Sequence, residues 1–107
     1  MEYEELLNRL SFVVYGDNKW RLTVRQQKDA ISEIICDVHG LSVLEARRII
    51  RNIINITRSP IHLRVIHGYT HGTAIKDMLA QECVADRIVS RVCPESNPGE
   101  TIMSIAA

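Results

Sequence analysis

A carboxylate and three imidazoles lie in two short polar clusters of the sequence. The first cluster holds Asp37 and His39, and the second holds His67 and His71. An imidazole titrates near neutral pH and can move a proton during cleavage of a phosphodiester bond, whereas a carboxylate can orient an imidazole or coordinate a divalent ion. These residue types predict acid–base chemistry or a metal site, provided that the fold brings the two clusters together.

The spacing of apolar residues predicts the elements that carry these clusters. Residues 34–38 form a short apolar run rich in branched residues, which predicts a buried strand. Apolar and polar residues alternate over 61–65, which predicts a second strand over 61–67. A helix capped by Ser42 follows the first strand, a second helix follows the second, and two more strands are predicted over 88–93 and 101–106. The connection between these last strands contains proline and glycine, which favours an antiparallel hairpin.

This order predicts a two-layer α/β domain over residues 32–107, because strands that alternate with helices pair in parallel through right-handed crossovers. We expect a four-stranded mixed sheet in the order βαβαββ, with two helices on one face. The other face of the sheet is expected to carry His62, Arg64 and Ile66.

Residues 1–31 are expected to form a separate N-terminal arm that begins with a helix. Residues 19–30 stay ambiguous, since their first half alternates as a strand does and their second half favours a helix. The arm can cover the open face of the sheet or contact a second copy of the chain. Its aromatic residues Phe12 and Trp20 are expected in the core or in an interface.

Parallel pairing of the first two strands brings the two polar clusters to one edge of the sheet. Both clusters follow the carboxyl end of a strand, where open α/β sheets bind their ligands. Alternation along the strand sends Asp37 and His39 to the same side. Both helices begin at this edge, near Ser42 and Thr73, and their unpaired N–H groups favour an anion such as phosphate. The glycines of the second cluster let the backbone approach that anion closely.

Three motifs in this part of the chain resemble those of the small MutS-related (Smr) domain family. The sequence CDVHGLS at residues 36–42 is close to the family signature LD[LV]HG[LM][ST]. The sequence VIHG at residues 65–68 is close to the second motif of the family, which is of the HGxG type. The sequence PGET at residues 98–101 precedes the last strand, as it does in the family. The resemblance covers residues 32–107.

The resemblance implies a fold similar to the C-terminal domain of translation initiation factor three. Members of the family bind nucleic acid, and several nick DNA or cleave RNA. Carried over by motif, the expected catalytic residues are Asp37, His39 and His67. Asp37 is expected to orient an imidazole or to hold a divalent ion, Mg²⁺ or Mn²⁺, with His39 as the second candidate ligand.

The second motif departs from the family pattern, which commonly has a basic residue and a second glycine after His-Gly. Here Tyr69 and Thr70 stand in those places, and His71 and Gly72 follow them. Tyr69 can stack on a base or pack in the fold. The residues predicted to contact phosphate or nucleic acid are Gly40, Gly68, Tyr69, Thr70, His71, Gly72, Arg64 and Lys76.

The leading hypothesis is a domain that binds DNA or RNA and acts as an endonuclease on the phosphodiester backbone. The altered second motif leaves a non-catalytic nucleic-acid-binding module as an alternative. The N-terminal arm leaves a third, an interaction module that forms a homodimer.

Composition narrows the protein class. The 107 residues fit one domain, and 13 basic residues balance 13 acidic ones. Residues 39–80 nevertheless carry six basic and two acidic residues, an excess that suits a polyanionic partner. No apolar run is long enough for a membrane span. The three cysteines lack the paired spacing of metal ligands, which argues against a disulfide framework and for a cytoplasmic location.

Overall fold

The structure, a computed structural model, describes residues 3–14, 16–25, 32–57, 59–68, 72–81 and 87–106. Within these residues the chain forms helices, strands and one 3₁₀ helix, Gly16–Arg21. In chain order, the other elements are α1 (Tyr3–Leu10), β1 (Leu22–Arg25), β2 (Ser32–Asp37), α2 (Val43–Ile56), β3 (Ile61–Ile66), α3 (Ala74–Gln81), β4 (Ile88–Val92) and β5 (Glu100–Ile105).

The strands form one mixed sheet in the order β1-β2-β3-β5-β4. β2 and β3 are parallel and joined by α2, and β5 pairs antiparallel with both β3 and β4. The mixed α/β class and the final antiparallel hairpin are confirmed. The prediction of four strands is wrong, because β1 adds a fifth strand at the edge, with Leu22 opposite Cys36 and Val24 opposite Ile34.

The hydrophobic core lies on the helix-covered face of the sheet. Alternation along β3 buries Ile61, Leu63 and Val65, while the residues between them stay partly exposed. All three α-helices described contribute apolar residues to this core, including Leu6, Leu10, Ala46, Ile49, Ile50, Ile53, Ile54, Ile75, Met78 and Leu79. The longest, α2, has 14 residues, and no helix within the described residues is long and apolar enough to cross a membrane.

The N-terminal segment packs on this same layer. Leu6 and Leu10 of α1 belong to the single core cluster, and Arg9 Nη1 donates a hydrogen bond to the Ile56 carbonyl at the end of α2 (3.4 Å). The described part of the arm thus joins the helix layer and, through β1, the sheet. Phe12 and Trp20 are 78% and 56% exposed, so neither lies in the core of the chain.

The opposite face of the sheet carries an ion-pair network across three strands. Arg64 donates from Nε to Glu33 and from Nη1 to Glu100, each over 2.8 Å. These two hydrogen bonds raise the pKa of Arg64 above its ordinary value, so its charge is permanent. Register explains the network, because Glu33 and Glu100 each lie two residues from the partner of Arg64 on β2 and β5 and therefore share its face of the sheet.

Candidate functional site

The Asp37 carboxylate and the His39 imidazole form a hydrogen-bonded pair where β2 ends. Asp37 Oδ1 accepts a hydrogen bond from the His39 backbone N–H (3.1 Å) and lies 2.5 Å from His39 Nδ1. An ionised carboxylate accepts only, so Nδ1 carries the proton and Nε2 remains as the acceptor of the neutral ring. The His39 side chain is 58% exposed and that of Asp37 is 22% exposed. The pair therefore presents an oriented imidazole to solvent.

A cleft of about 660 Å³ lies beside this pair, between the loops that follow β2 and β3. His39 and His67 both line it, so the two polar clusters border one cleft. The two loops meet closely, since a Cβ on Gly68 would lie 3.8 Å from His39 Cβ. Gly40 and Gly68 also line the cleft and have φ of 79° and 71°, a conformation that glycine adopts without strain.

Two helices begin at the wall of the cleft. Ser42 caps α2 as the sequence predicts, because its Oγ accepts the Glu45 backbone N–H over 3.1 Å. Ala74, the first residue of α3, lines the other side, as does Lys76 of the same helix. The unpaired N–H groups and the helix dipoles at the N-termini of α2 and α3 favour an anion here, and Lys76 adds a full positive charge.

His67 lines the cleft but is hydrogen-bonded to its own chain. Its side chain is buried, with Nδ1 2.8 Å from the Gly68 carbonyl and Nε2 2.9 Å from Thr101 Oγ1. The carbonyl can only accept, so Nδ1 donates to it and Nε2 accepts from the threonine hydroxyl. Both ring nitrogens are thus engaged, and the imidazole ties the loop after β3 to β5.

The remaining predicted contact residues divide into three groups. Gly72 lines the cleft with Lys76, whereas Arg64 lies on the open face of the sheet and is held by two carboxylates. The predicted contacts at Tyr69, Thr70 and His71 lie outside the described residues.

Asp37 and His39 have no further metal ligands grouped with them in the described part of the chain. No group of three or more His, Cys, Asp or Glu residues is arranged there to hold a metal ion. Asp37 Oδ1 is already used by the imidazole and the backbone of His39. The described residues therefore do not fit a metal site, and we derive no chemical step through one.

Two residues that the sequence analysis did not predict at this site, Trp20 and Arg21, support the pair from the 3₁₀ helix. Arg21 Nη1 donates to the carbonyls of Asp37 and His39, each over 3.1 Å. Its guanidinium lies 4.5 Å from the centre of the Trp20 ring, and that ring lies 5.9 Å from the imidazole of His39. Antiparallel pairing of β1 with β2 causes this arrangement, because Leu22 opposes Cys36 and Arg21 therefore reaches Asp37.

Comparison of the chain with known proteins adds no relative to this description. It matches no protein-family model, no curated protein and no solved structure. The functional assignment consequently depends on the motifs of the sequence and on the geometry of the cleft.

Proposed function

We propose that this chain is an Smr-like domain that binds DNA or RNA in the cleft and hydrolyses a phosphodiester bond there. One observation carries the proposal: the carboxylate-oriented imidazole of His39 stands at the rim of a cleft that two helix N-termini border. The order of elements from β2 to β5 is also the one expected from the resemblance. We place this activity in the reducing cytoplasm, in keeping with the cysteine content.

In this proposal, the phosphate lies between the first turns of α2 and α3. Backbone N–H groups and the ammonium of Lys76 bind its charged oxygens. His39 Nε2 takes a proton from a water molecule, whose oxygen attacks phosphorus while the bond to the leaving oxygen breaks. The imidazolium then returns the proton to that leaving oxygen. Asp37 holds Nδ1–H and stabilises the positive ring.

A non-catalytic binding module is the second candidate, and the hydrogen bonds of His67 favour it. With both ring nitrogens of His67 engaged, His39 alone of the two described cleft histidines has a ring nitrogen for a substrate. A site with one proton carrier rather than two can bind phosphate without efficient turnover. In this candidate the cleft and its helix N-termini keep their role, and Asp37 holds the ring of His39 in a fixed orientation.

Cleavage of supercoiled plasmid and of structured RNA, with Mg²⁺, Mn²⁺ or a chelator, separates the two candidates. We expect His39→Ala and Asp37→Asn to reduce cleavage by about 10²- to 10⁴-fold, the usual contribution of a general acid–base group. His62→Ala is the matched control, because this histidine lies on the open face of the sheet next to Ser104. If all three variants cut as fast as the parent protein, the activity is not that of this cleft.

Binding is measured separately by fluorescence anisotropy of labelled DNA and RNA. Affinity must fall steeply with salt if phosphate contacts dominate, because counterions are released on binding. Salt-dependent binding without cleavage selects the non-catalytic candidate. Affinity that stays constant across a tenfold rise in salt contradicts both.

A homodimer through the N-terminal arm stays a prediction with its own test. The arm residues Leu6 and Leu10 are buried in the core of their own chain, which leaves Phe12 as the most exposed large apolar residue in the described part of the arm. Light scattering of Phe12→Ser measures the role of this surface. A dimeric parent and a monomeric variant support the homodimer, whereas a monomeric parent refutes it.

A further inference from the structure

Trp20 is an exposed indole beside the candidate catalytic pair. It lies on the 3₁₀ helix Gly16–Arg21, in which no residue is buried, and 56% of its surface is exposed. Its ring is tilted by 58° to the imidazole of His39, with 5.9 Å between the ring centres. A large aromatic side chain left in water gains little for stability, and this one lies next to His39, which lines the cleft.

The ring is held in place before any ligand binds. The Arg21 guanidinium lies 4.5 Å from the centre of the indole, a cation–π contact. The same guanidinium donates to Asn18 Oδ1 (2.9 Å) and to the carbonyls of Asp37 and His39 (3.1 Å each). Arg21 is thereby fixed by three acceptors, and it fixes the indole relative to the loop that carries His39.

We infer that Trp20 is a stacking platform for one unpaired base of a single-stranded nucleic acid whose phosphate binds in the cleft. This inference rests on the proposed function and adds its substrate class. Base faces are covered in a duplex and are free in single strands, loops and bulges, where aromatic side chains stack on them. A base next to the bound phosphate can reach Trp20, because the indole adjoins His39 on the cleft rim.

The intrinsic fluorescence of the chain reports this contact directly, since Trp20 is its single tryptophan. The probes are single-stranded DNA and RNA of about 12 nucleotides, the corresponding duplexes, and an abasic DNA strand of equal length. Labelled strands give affinities by anisotropy. We expect intact single strands to quench Trp20, and duplex and abasic strands to bind more weakly and without quenching. The DNA and RNA arms show which sugar the site accepts.

Substitutions then separate stacking from phosphate binding. Trp20→Leu should weaken binding of intact single strands by about 5- to 150-fold, which corresponds to the stacking contribution of one base. Trp20→Phe should keep part of the affinity, and the abasic strand should bind all three proteins equally. Val89→Ala is the control, because this apolar residue of β4 is 67% exposed and does not line the cleft.

Failure of the stacking role and failure of the proposed function give different results. Intact strands that bind without quenching Trp20, and that bind Trp20→Leu as well as the parent, overturn the stacking role and leave phosphate binding standing. The absence of binding by every strand at low salt overturns the proposed function and the stacking role together.

Discussion

Two His-Gly pairs follow neighbouring parallel strands, and the fold treats them differently. His39-Gly40 follows β2, His67-Gly68 follows β3, and both glycines have a positive φ near 75° (79° and 71°). The imidazole of His39 is half-exposed and bonded to a carboxylate, whereas that of His67 is buried and bonded to the chain through both nitrogens. Identical dipeptides at one edge of a sheet therefore need not have the same role.

Strand parity explains the difference. Buried positions alternate along β3 at Leu63 and Val65, and His67 continues that series toward the core. The buried series of β2 ends at Val38, the residue after the strand, whose N–H donates to the carbonyl of Ile66 at the end of β3 (2.9 Å). His39 is one residue past this series, so it shares the parity of Asp37. A one-residue difference decides which imidazole is available to a ligand.

The largest difference is expected between the free energies of unfolding of the two variants that each lack one imidazole. His67→Ala should lower the free energy of unfolding by about 2–4 kcal/mol, because it opens a cavity and leaves the buried Thr101 hydroxyl without its partner. His39→Ala should change it by no more than about 0.5 kcal/mol, since its ring is half-exposed. Urea unfolding followed by circular dichroism measures both. Equal losses contradict the assignment of His67 as the structural member of the two.

Removing the partner of His67 should have a smaller effect. Thr101→Val keeps the shape of the buried side chain but removes the hydroxyl, at an expected cost of about 1–2 kcal/mol. Thr101→Ser keeps the hydroxyl and serves as the control for the hydrogen bond. The double variant of Thr101→Val with His67→Ala should lose less stability than the sum of the losses in the two single variants. Full additivity measured by urea unfolding indicates that the two side chains do not interact.

The two glycines should respond alike, in contrast to the two histidines. Gly40→Ala and Gly68→Ala each force an alanine into the left-handed region, with an expected loss of about 1 kcal/mol in the free energy of unfolding. The added Cβ meets no close neighbour at Gly40 and makes an ordinary 3.8 Å contact at Gly68. Asparagine tolerates this conformation, so the Asn variants should lose less. Losses that differ severalfold in thermal unfolding contradict the shared backbone geometry.

The reactivity of Cys36 tests the same alternation, because this residue points to the core side of β2, opposite to Asp37. Burial raises the pKa of this thiol to about 12, so it stays protonated. Cys93 is exposed and is expected to react with iodoacetamide at pH 8 while Cys36 does not, as peptide mass spectrometry can show. The raised pKa also favours the folded state below about pH 9, an advantage lost as the pH rises toward 12. Rapid labelling of Cys36 contradicts its burial.

Local patterns in the sequence predicted much of the fold after residue 32. The alternation in β3, the Ser42 cap and the proline-containing hairpin each depend on residues close together in the chain, so their signals are visible without the partner strands. The convergence of the Asp37 and His67 loops follows from parallel pairing alone. The sequence alone therefore predicts where the two loops meet, but not the contacts of the side chains that line the cleft.

Features that depend on distant residues were not predictable in the same way. β1 is a four-residue edge strand, and its alternation is too short to outweigh the polar residues that follow it. Arg21 precedes Asp37 and His39 by 16 and 18 residues in the chain, and it contacts them only because β1 pairs with β2. Similarly, Thr101 meets His67 only because β5 enters between β3 and β4.

The insertion of β5 also has a consequence for synthesis on the ribosome. β4 has its partner in β5, so the nascent chain cannot attach β4 to the sheet until residues 100–105 have emerged. Until then β3 presents a bare edge with unpaired N–H and C=O groups beside the apolar Leu63 and Val65. Such an edge can pair with another unfinished chain, and the interval before β5 docks is therefore when misassembly and chaperone binding should concentrate.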